Sequence, residues 1–298
     1  MWIGNGADEA SMEYTMSYNP TLDIGSGERV LKEVKNIFDG LGIIFFLQSG
    51  SCLGAVRDGG FIPWDDDVDL LSIIGRNALS EESILATVEV FQKNGFFARR
   101  NHVPNCFNHS FLKNWVRIDW TCVYPVNNTV FSYPGIYLPI TLFEHPKEVE
   151  FLGAKFHVPN PPEEYLRLKY GDEWRKPKKP GSYEIDVVRK IAPTTITGQP
   201  CYIRVLDAHD QPQPNVEVVL VGGGVSTTDE QGSATVIIPG SNWYALIFRE
   251  NGKENVLYME ELDPGITYTY RPISFSPKGN ETPENVGTLG NVLIREGD

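Results

Sequence analysis

The stretch SGSCLGAVRDGGFIPWDDDVDL, residues 49–70, decides how the rest of the chain is read. It sets a small-residue turn and Arg57 just ahead of Asp65, Asp66, Asp67 and Asp69. Carboxylates repel one another, so a group this dense is costly unless water or cations share the space. Side chains alternate between the faces of a strand, which puts Asp67 and Asp69 on one face across Val68. Two hard oxygen donors side by side suit Mg²⁺, which takes one or two carboxylates together with phosphate oxygens. The segment reads as a metal-dependent site for phosphate chemistry.

Working outward, residues 28–39 carry Leu31, Val34, Ile37 and Phe38 at helical spacing, with Gly40 as the stop. A buried strand over 43–47 follows and runs into the Ser49-Gly50-Ser51 turn. A short helix is expected over 52–57, then a Gly59-Gly60 break and a second strand over 66–73. Ser80 opens a further helix, with Ile84, Leu85, Val88 and Phe91 as its apolar face. A strand at 115–120 sends Trp115, Arg117 and Asp119 to one face and Val116, Ile118 and Trp120 to the other. Residues 1–25 are polar and poorly periodic and are read as an arm. A helix is expected at about 162–169, and the basic run 175–179 reads as a solvated face. The order of elements predicts a small α/β or α+β catalytic core, and the chain as a whole is taken as α+β.

Near Pro193-Thr194-Thr195 the composition changes. Apolar runs at 202–206, 216–221, 233–238, 243–248, 256–259 and 268–270 are separated by Gly, Pro, Asn and Asp, with a last edge strand expected within 286–294. This spacing is that of an all-β sandwich. The chain therefore divides into a catalytic domain over 1–195 and a β-sandwich domain over 196–298.

Length and composition bound the function. A chain of 298 residues with 41% hydrophobic and 22% charged content is an ordinary globular protein. A net charge of −13 argues against a nucleic-acid partner held by a general field, while leaving room for a local pocket for one nucleotide. Cys52, Cys106, Cys122 and Cys201 lie far apart with no C-x-x-C pair, which argues against a zinc ribbon or a disulfide framework. No secretory signal and no bilayer-length apolar run is evident, so the expected location is cytoplasmic, with no integral membrane segment. The N-x-S/T triplets at Asn108, Asn127 and Asn280 are then chance matches. His102, His109, His145 and His157 show no metal-ligand spacing.

The order of a small-residue turn, Asp67-Val68-Asp69 and a later Asp119 resembles the nucleotidyltransferase superfold, a mixed sheet with helices. Within it, Leu53-Gly54-Ala55-Val56-Arg57 followed by Gly60-Phe61-Ile62-Pro63-Trp64-Asp65-Asp66-Asp67-Val68-Asp69 resembles the LicD family, which includes the fukutin-related proteins. Tyr170-Gly171-Asp172-Glu173-Trp174 and Pro177 extend the likeness, so it covers roughly residues 28–180. Asp58 and Ser51-Cys52 depart from the family pattern. The resemblance implies transfer of a phospho-substituent, phosphocholine or phospho-alditol, from a CDP-linked donor to a glycan acceptor. It implies Asp67, Asp69 and Asp119 as catalytic carboxylates holding Mg²⁺ or Mn²⁺, with Gly50, Ser51, Arg57 and Arg117 binding phosphate. The residues leave alternatives open at this point. Asp65 and Asp66 serve equally as turn caps, Arg57 as a turn clamp, and Arg117–Asp119 as a structural ion pair.

Val205-Leu206-Asp207-Ala208, Gln211-Pro212 and Thr227-Thr228-Asp229-Glu230-Gln231-Gly232 resemble a carboxypeptidase regulatory-like, or transthyretin-like, sandwich, with no catalytic cluster. Two other readings of the whole stand beside phosphotransfer: nucleotidyl transfer that leaves a nucleoside monophosphate on the acceptor, and a non-catalytic glycan-binding or assembly protein.

Overall fold

The apolar spacing around residue 30 does form a helix, longer than the sequence pattern marks. The structure, a computed structural model, describes residues 6–77, 79–101, 106–178, 187–271 and 292–297. In chain order the first elements are α1 (Glu9–Tyr18), α2 (Ile24–Leu41), β1 (Phe46–Leu47) and α3 (Ser49–Leu53), the last continuing into a π-helical turn at Gly54–Asp58. β2 (Asp67–Ile73), α4 (Glu81–Lys93), β3 (Phe97–Asn101), β4 (Cys106–Lys113) and β5 (Val116–Val123) follow. Then come β6 (Thr129–Ser132), β7 (Ile136–Pro139), β8 (Lys147–Phe151), β9 (Ala154–Val158) and α5 (Pro162–Tyr170). The remaining strands are β10 (Gln199–Val205), β11 (Glu217–Leu220), β12 (Val225–Thr227), β13 (Ser233–Ile238), β14 (Asn242–Glu250), β15 (Lys253–Leu262), β16 (Thr267–Tyr270) and β17 (Ile294–Arg295). The chain forms two compact units, residues 1–131 with 138–175, and residues 132–137 with 176–298.

In the first unit a five-stranded mixed sheet runs in the order β1-β2-β5-β4-β3, with β2 and β5 parallel and the other pairs antiparallel. Asp23 caps α2 by accepting the Ser26 N–H, and Ser80 with Ser83 closes a reciprocal cap on α4. Both helices pack on one face of the sheet. There Phe38 meets Trp120 at 4.9 Å and Phe91 at 5.2 Å between ring centroids, and Phe91 stacks on Phe111 at 4.1 Å. Each of these fully buried side chains contributes about 1.5–3 kcal/mol by leaving water. Val116, Ile118 and Trp120 point into this core, so alternation turns Arg117 and Asp119 to the opposite face.

Two sequence expectations need correction. Residues 1–25 are not a bare arm: Glu9–Tyr18 is helical, with Asp8 accepting the Ser11 N–H and Asn19 closing it in the left-handed region. Its buried residues are Ser11, Met12 and Thr15, mostly polar, which is why no apolar period marks it. Of the strand expected over 43–47, only Phe46–Leu47 pairs with β2.

In the second unit the sheets β13-β10-β16-β17 and β12-β11-β14-β15 enclose one core. Cys201, Ile203 and Val205 face Leu246 and Phe248 across it, the alternation in β10 putting Tyr202 and Arg204 outside. The second sheet is buried on its other face too, by Val219, Ala245, Ile247 and Tyr258 with Val188, so β14 reads as a continuous apolar run. The turn expected at 229–232 forms, Asp229 accepting the N–H groups of Gln231 and Ser233 at 2.9 Å each. Of the edge strand expected over 286–294, β17 begins only at Ile294, and 286–291 lie outside the described residues. No disulfide joins the cysteines, and no helix among the described residues is long and apolar enough to cross a membrane.

Candidate functional site

The open face of the first unit's sheet gathers the acidic side chains. Parallel pairing of β2 with β5 sets Asp67 opposite Arg117 and Asp69 opposite Asp119. The loop before β2 adds Asp65 and Asp66. Asp65, Asp66 and Asp67 can each bring one carboxylate oxygen within 4.8 Å of the others. The turn at 49–60 closes the near side. A Cβ on Gly50 would come within 2.9 Å of an Asp65 carboxylate oxygen, and one on Gly54 within 2.5 Å of the Gly60 carbonyl oxygen. Small residues are therefore what allow the loop to lie against the carboxylates.

Arg117 sits at the centre. Its NH2 donates to Asp66 Oδ2 and Asp67 Oδ2, both at 2.7 Å, and its Nε lies 3.3 Å from Asp119 Oδ2. NH1 donates to the Thr15 carbonyl at 2.9 Å, which ties the guanidinium to α1. Burial alone would lower the arginine's pKa, but Asp119, Asp67 and Asp66 raise it further than burial lowers it, so the group stays charged.

The carboxylates are crowded and shielded from water. Burial first, then Asp67 and Asp66, pushes Asp65 up to about 8. Burial and Asp67, opposed by Arg117, bring Asp66 to about 6. Asp119 rises to about 7, burial outweighing the pull of Arg117. Asp69 is lifted well above the usual carboxylate range by burial, then by Asp67, Asp65 and Asp119. A divalent cation would relieve this excess of negative charge, and the donors are all hard oxygens, so the residues present fit Mg²⁺ or Mn²⁺.

The other residues marked from sequence occupy distinct places. Ser51 is buried, and its hydroxyl accepts the Asp69 N–H at 2.9 Å, so it braces β2 from behind. Gly50 lies in the first turn of α3, and Ser49, at φ 43°, donates its N–H to the Tyr165 hydroxyl at 2.9 Å. Arg57 grips Asp58 through Nε (2.8 Å) and NH2 (2.6 Å), the clamp that sequence held as its alternative role. Trp64 is 39% exposed directly before the aspartates, not packed away.

Some neighbours of the site, and the ion-pair role of Asp66, escaped the sequence reading. Asp66 belongs to the Arg117 cage, Tyr165 braces the turn from α5, and Lys169 acts electrostatically on Asp69. Ser110, on β4, donates to Asp119 Oδ1 at 2.5 Å. The only signal for Asp66 was its place in the aspartate run; Ser110 had none, because β4 lacks strict alternation.

Comparison with known proteins converges on the same segment. Residues 42–161 match the family described as "LicD/FKTN/FKRP, nucleotidyltransferase domain". The chain is similar to "Ribitol 5-phosphate transferase FKRP" of Mus musculus and of Homo sapiens, 25% identical over 179 residues, covering 55% of this chain and 35% of each relative. It is also similar to "Ribitol-5-phosphate transferase FKTN" of Mus musculus, 32% identical over 152 residues, covering 47% of this chain and 31% of that protein. The chain thus spans about a third of the length of the curated relatives it matches. Thr15, Tyr165 and Lys169 reach the site from outside the matched span. The aspartate cluster, Arg117 and Ser110 all lie inside residues 42–161, the span that is similar to the LicD/FKTN/FKRP family.

Proposed function

We propose that this chain transfers a phospho-substituent of the phosphocholine or phospho-alditol type from a CDP-linked donor to a glycan acceptor, with Mg²⁺ or Mn²⁺ as cofactor. What supports the reading is one relationship above all: Asp67 and Asp69 on β2 stand in register with Arg117 and Asp119 on β5, on the sheet face turned away from the core. Relatives named as ribitol-5-phosphate transferases add to it.

In this reading Asp67, Asp69 and Asp119 hold the metal, and Asp65 and Asp66, whose carboxylate oxygens gather with that of Asp67, add to the acidic edge at Asp67. The bound ion supplies charge neutralisation on the donor diphosphate and on the departing CMP. The Gly50 and Ser51 amides bind the donor phosphates, and Arg57 joins them by releasing its Asp58 clamp. Arg117 donates NH2 to Asp66 and Asp67 and NH1 to the Thr15 carbonyl, with Asp119 beside its Nε as an ion-pair neighbour, so it holds the carboxylates in place and reaches phosphate only by leaving them. The acceptor hydroxyl oxygen bonds to the head-group phosphorus, and the bond from that phosphorus to the CMP oxygen breaks. CMP leaves with the electron pair, and the hydroxyl proton passes to a carboxylate of the cluster. The strand-rich second unit serves as an accessory sandwich of the regulatory-like type.

The test is product analysis with CDP-ribitol, CDP-glycerol and CDP-choline labelled on each phosphate in turn, with Mg²⁺ or EDTA. Metal-dependent release of CMP, with the outer phosphate on the acceptor, is expected. Label from the inner phosphate on the acceptor would assign nucleotidyl transfer instead. Absence of both turnover and Mg²⁺-dependent nucleotide binding would leave a non-catalytic glycan-binding role.

A further inference from the structure

A ladder of uncharged polar side chains leads away from Asp119 across the sheet. Register sets Ser110 opposite Asp119, Asn108 opposite Thr121, and Asn101 opposite Asn108. The Asn101 amide donates to Ser110 Oγ at 2.8 Å and to Asn108 Oδ1 at 2.6 Å. Asn108 in turn donates to Thr121 Oγ1 at 2.8 Å. An amide nitrogen only donates, so Ser110 Oγ must accept from Asn101, and its single proton is left for Asp119 Oδ1. Asp119 Oδ1 is then held by the fully buried Ser110, while Oδ2 lies 3.3 Å from Arg117 Nε as an ion pair without a hydrogen bond. Asn108 and Ser110 are both engaged within this ladder.

We propose that Ser110 is a positioning residue for Asp119, with Asn101 fixing the direction of its hydroxyl, so that one carboxylate orientation is presented to a bound divalent cation. This rests on the reading that Asp119 is a metal ligand. Partners of ligating carboxylates act in this way elsewhere, and their loss typically weakens metal binding by about 10–100-fold. A ladder serving only to join strands would affect folding stability and leave cation affinity unchanged.

The experiment measures Mn²⁺ affinity by electron paramagnetic resonance titration, alongside thermal unfolding, on the full chain. Variants are Ser110→Ala, Asn101→Leu, Thr121→Val and Asp119→Asn. Ser110→Ala is expected to weaken Mn²⁺ by about 10–100-fold, and Asn101→Leu by about 3–10-fold through loss of one neutral hydrogen bond. Thr121→Val, which cuts the side branch alone, should bind as wild type. Asn101 is only half-buried, so its variant decides the matter if Ser110→Ala does not fold. Wild-type affinity in both Ser110→Ala and Asn101→Leu, with binding weakened in Asp119→Asn, overturns the inference and leaves the metal reading standing. Equal weakening in Thr121→Val also overturns it. If the wild type itself binds no Mn²⁺, the metal reading fails and the inference with it.

Discussion

Arg117 and Asp67 face each other across the parallel β2–β5 pair, the guanidinium NH2 lying 2.7 Å from the carboxylate Oδ2. The same nitrogen lies 2.7 Å from Asp66 Oδ2. One buried cation thus offsets several carboxylates that would otherwise repel one another without a counter-charge.

Removing that cation should be costly. Arg117→Met is expected to lose about 3–5 kcal/mol of stability, because it strands buried carboxylates. Millimolar Mn²⁺ should restore part of the loss, since a ligand that binds only the folded state stabilises it. Urea unfolding with and without Mn²⁺ checks both. A variant as stable as wild type without metal would show that the cage is not a stability element.

Asp69→Asn should separate fold from function. It removes one charge from a crowded set while preserving shape, so the melting temperature should hold or rise. Turnover and Mn²⁺ affinity should each fall by more than ~100-fold, beyond the usual effect of losing an outer partner. Asp67→Asn should lose activity similarly and also some stability, because it gives up an Arg117 contact. Full activity in either variant would rule out the metal role.

His109 predicts an acid limb in stability. It is 2% exposed, its Nδ1 has no hydrogen-bond partner, and its ring lies near Phe111 and Trp120. Burial first, then Arg100, lowers its pKa from 6.5 to about 4. The folded state therefore prefers the neutral ring. Its contribution is complete above pH 6.5 and is lost as pH falls from there through about 4. The loss amounts to about 3 kcal/mol. Urea midpoints at pH 7 and pH 4.5 for wild type and His109→Phe should show a smaller drop in the variant, since the carboxylates titrate in both. An equal drop would mean that His109 is charged in the fold.

The turn offers a paired test. Gly54→Ala drives a Cβ into the Gly60 carbonyl oxygen and should cost about 1–3 kcal/mol with weaker Mn²⁺ binding, because the segment from Gly60 to Ile62 that leads into the aspartates must shift. Gly60→Ala meets no atom within 4 Å and should change stability by no more than about 0.5 kcal/mol. Differential scanning calorimetry on the two variants settles the comparison; equal effects would mean that the close approach is not required.

What could be read beforehand followed the reach of each interaction along the chain. Asp67 and Asp69 share a face by local alternation, and α2 and α4 announce themselves through apolar spacing and caps, so these were legible. Of the Arg117 cage only the Asp119 leg, two residues along the same strand, was legible; Asp66 lies 51 residues away and Thr15 lies 102 residues away in a helix without an apolar stripe. β3 and β4 were missed because polar residues on the site face alternate imperfectly with their apolar neighbours. The short helix expected over 52–57 starts earlier, at Ser49, and continues as a π turn from Gly54, where Gly60 passes too close for a side chain. Bulk and hydropathy do not encode that pass.

The anchorage of Arg117 on the Thr15 carbonyl has a practical side. A fragment trimmed to residues 42–161 would keep Asp65, Asp66, Asp67, Asp69 and Asp119 yet release the fork that spaces them. Such a truncation should still fold its sheet but hold cations poorly, so an inactive short version would say little about the intact polypeptide.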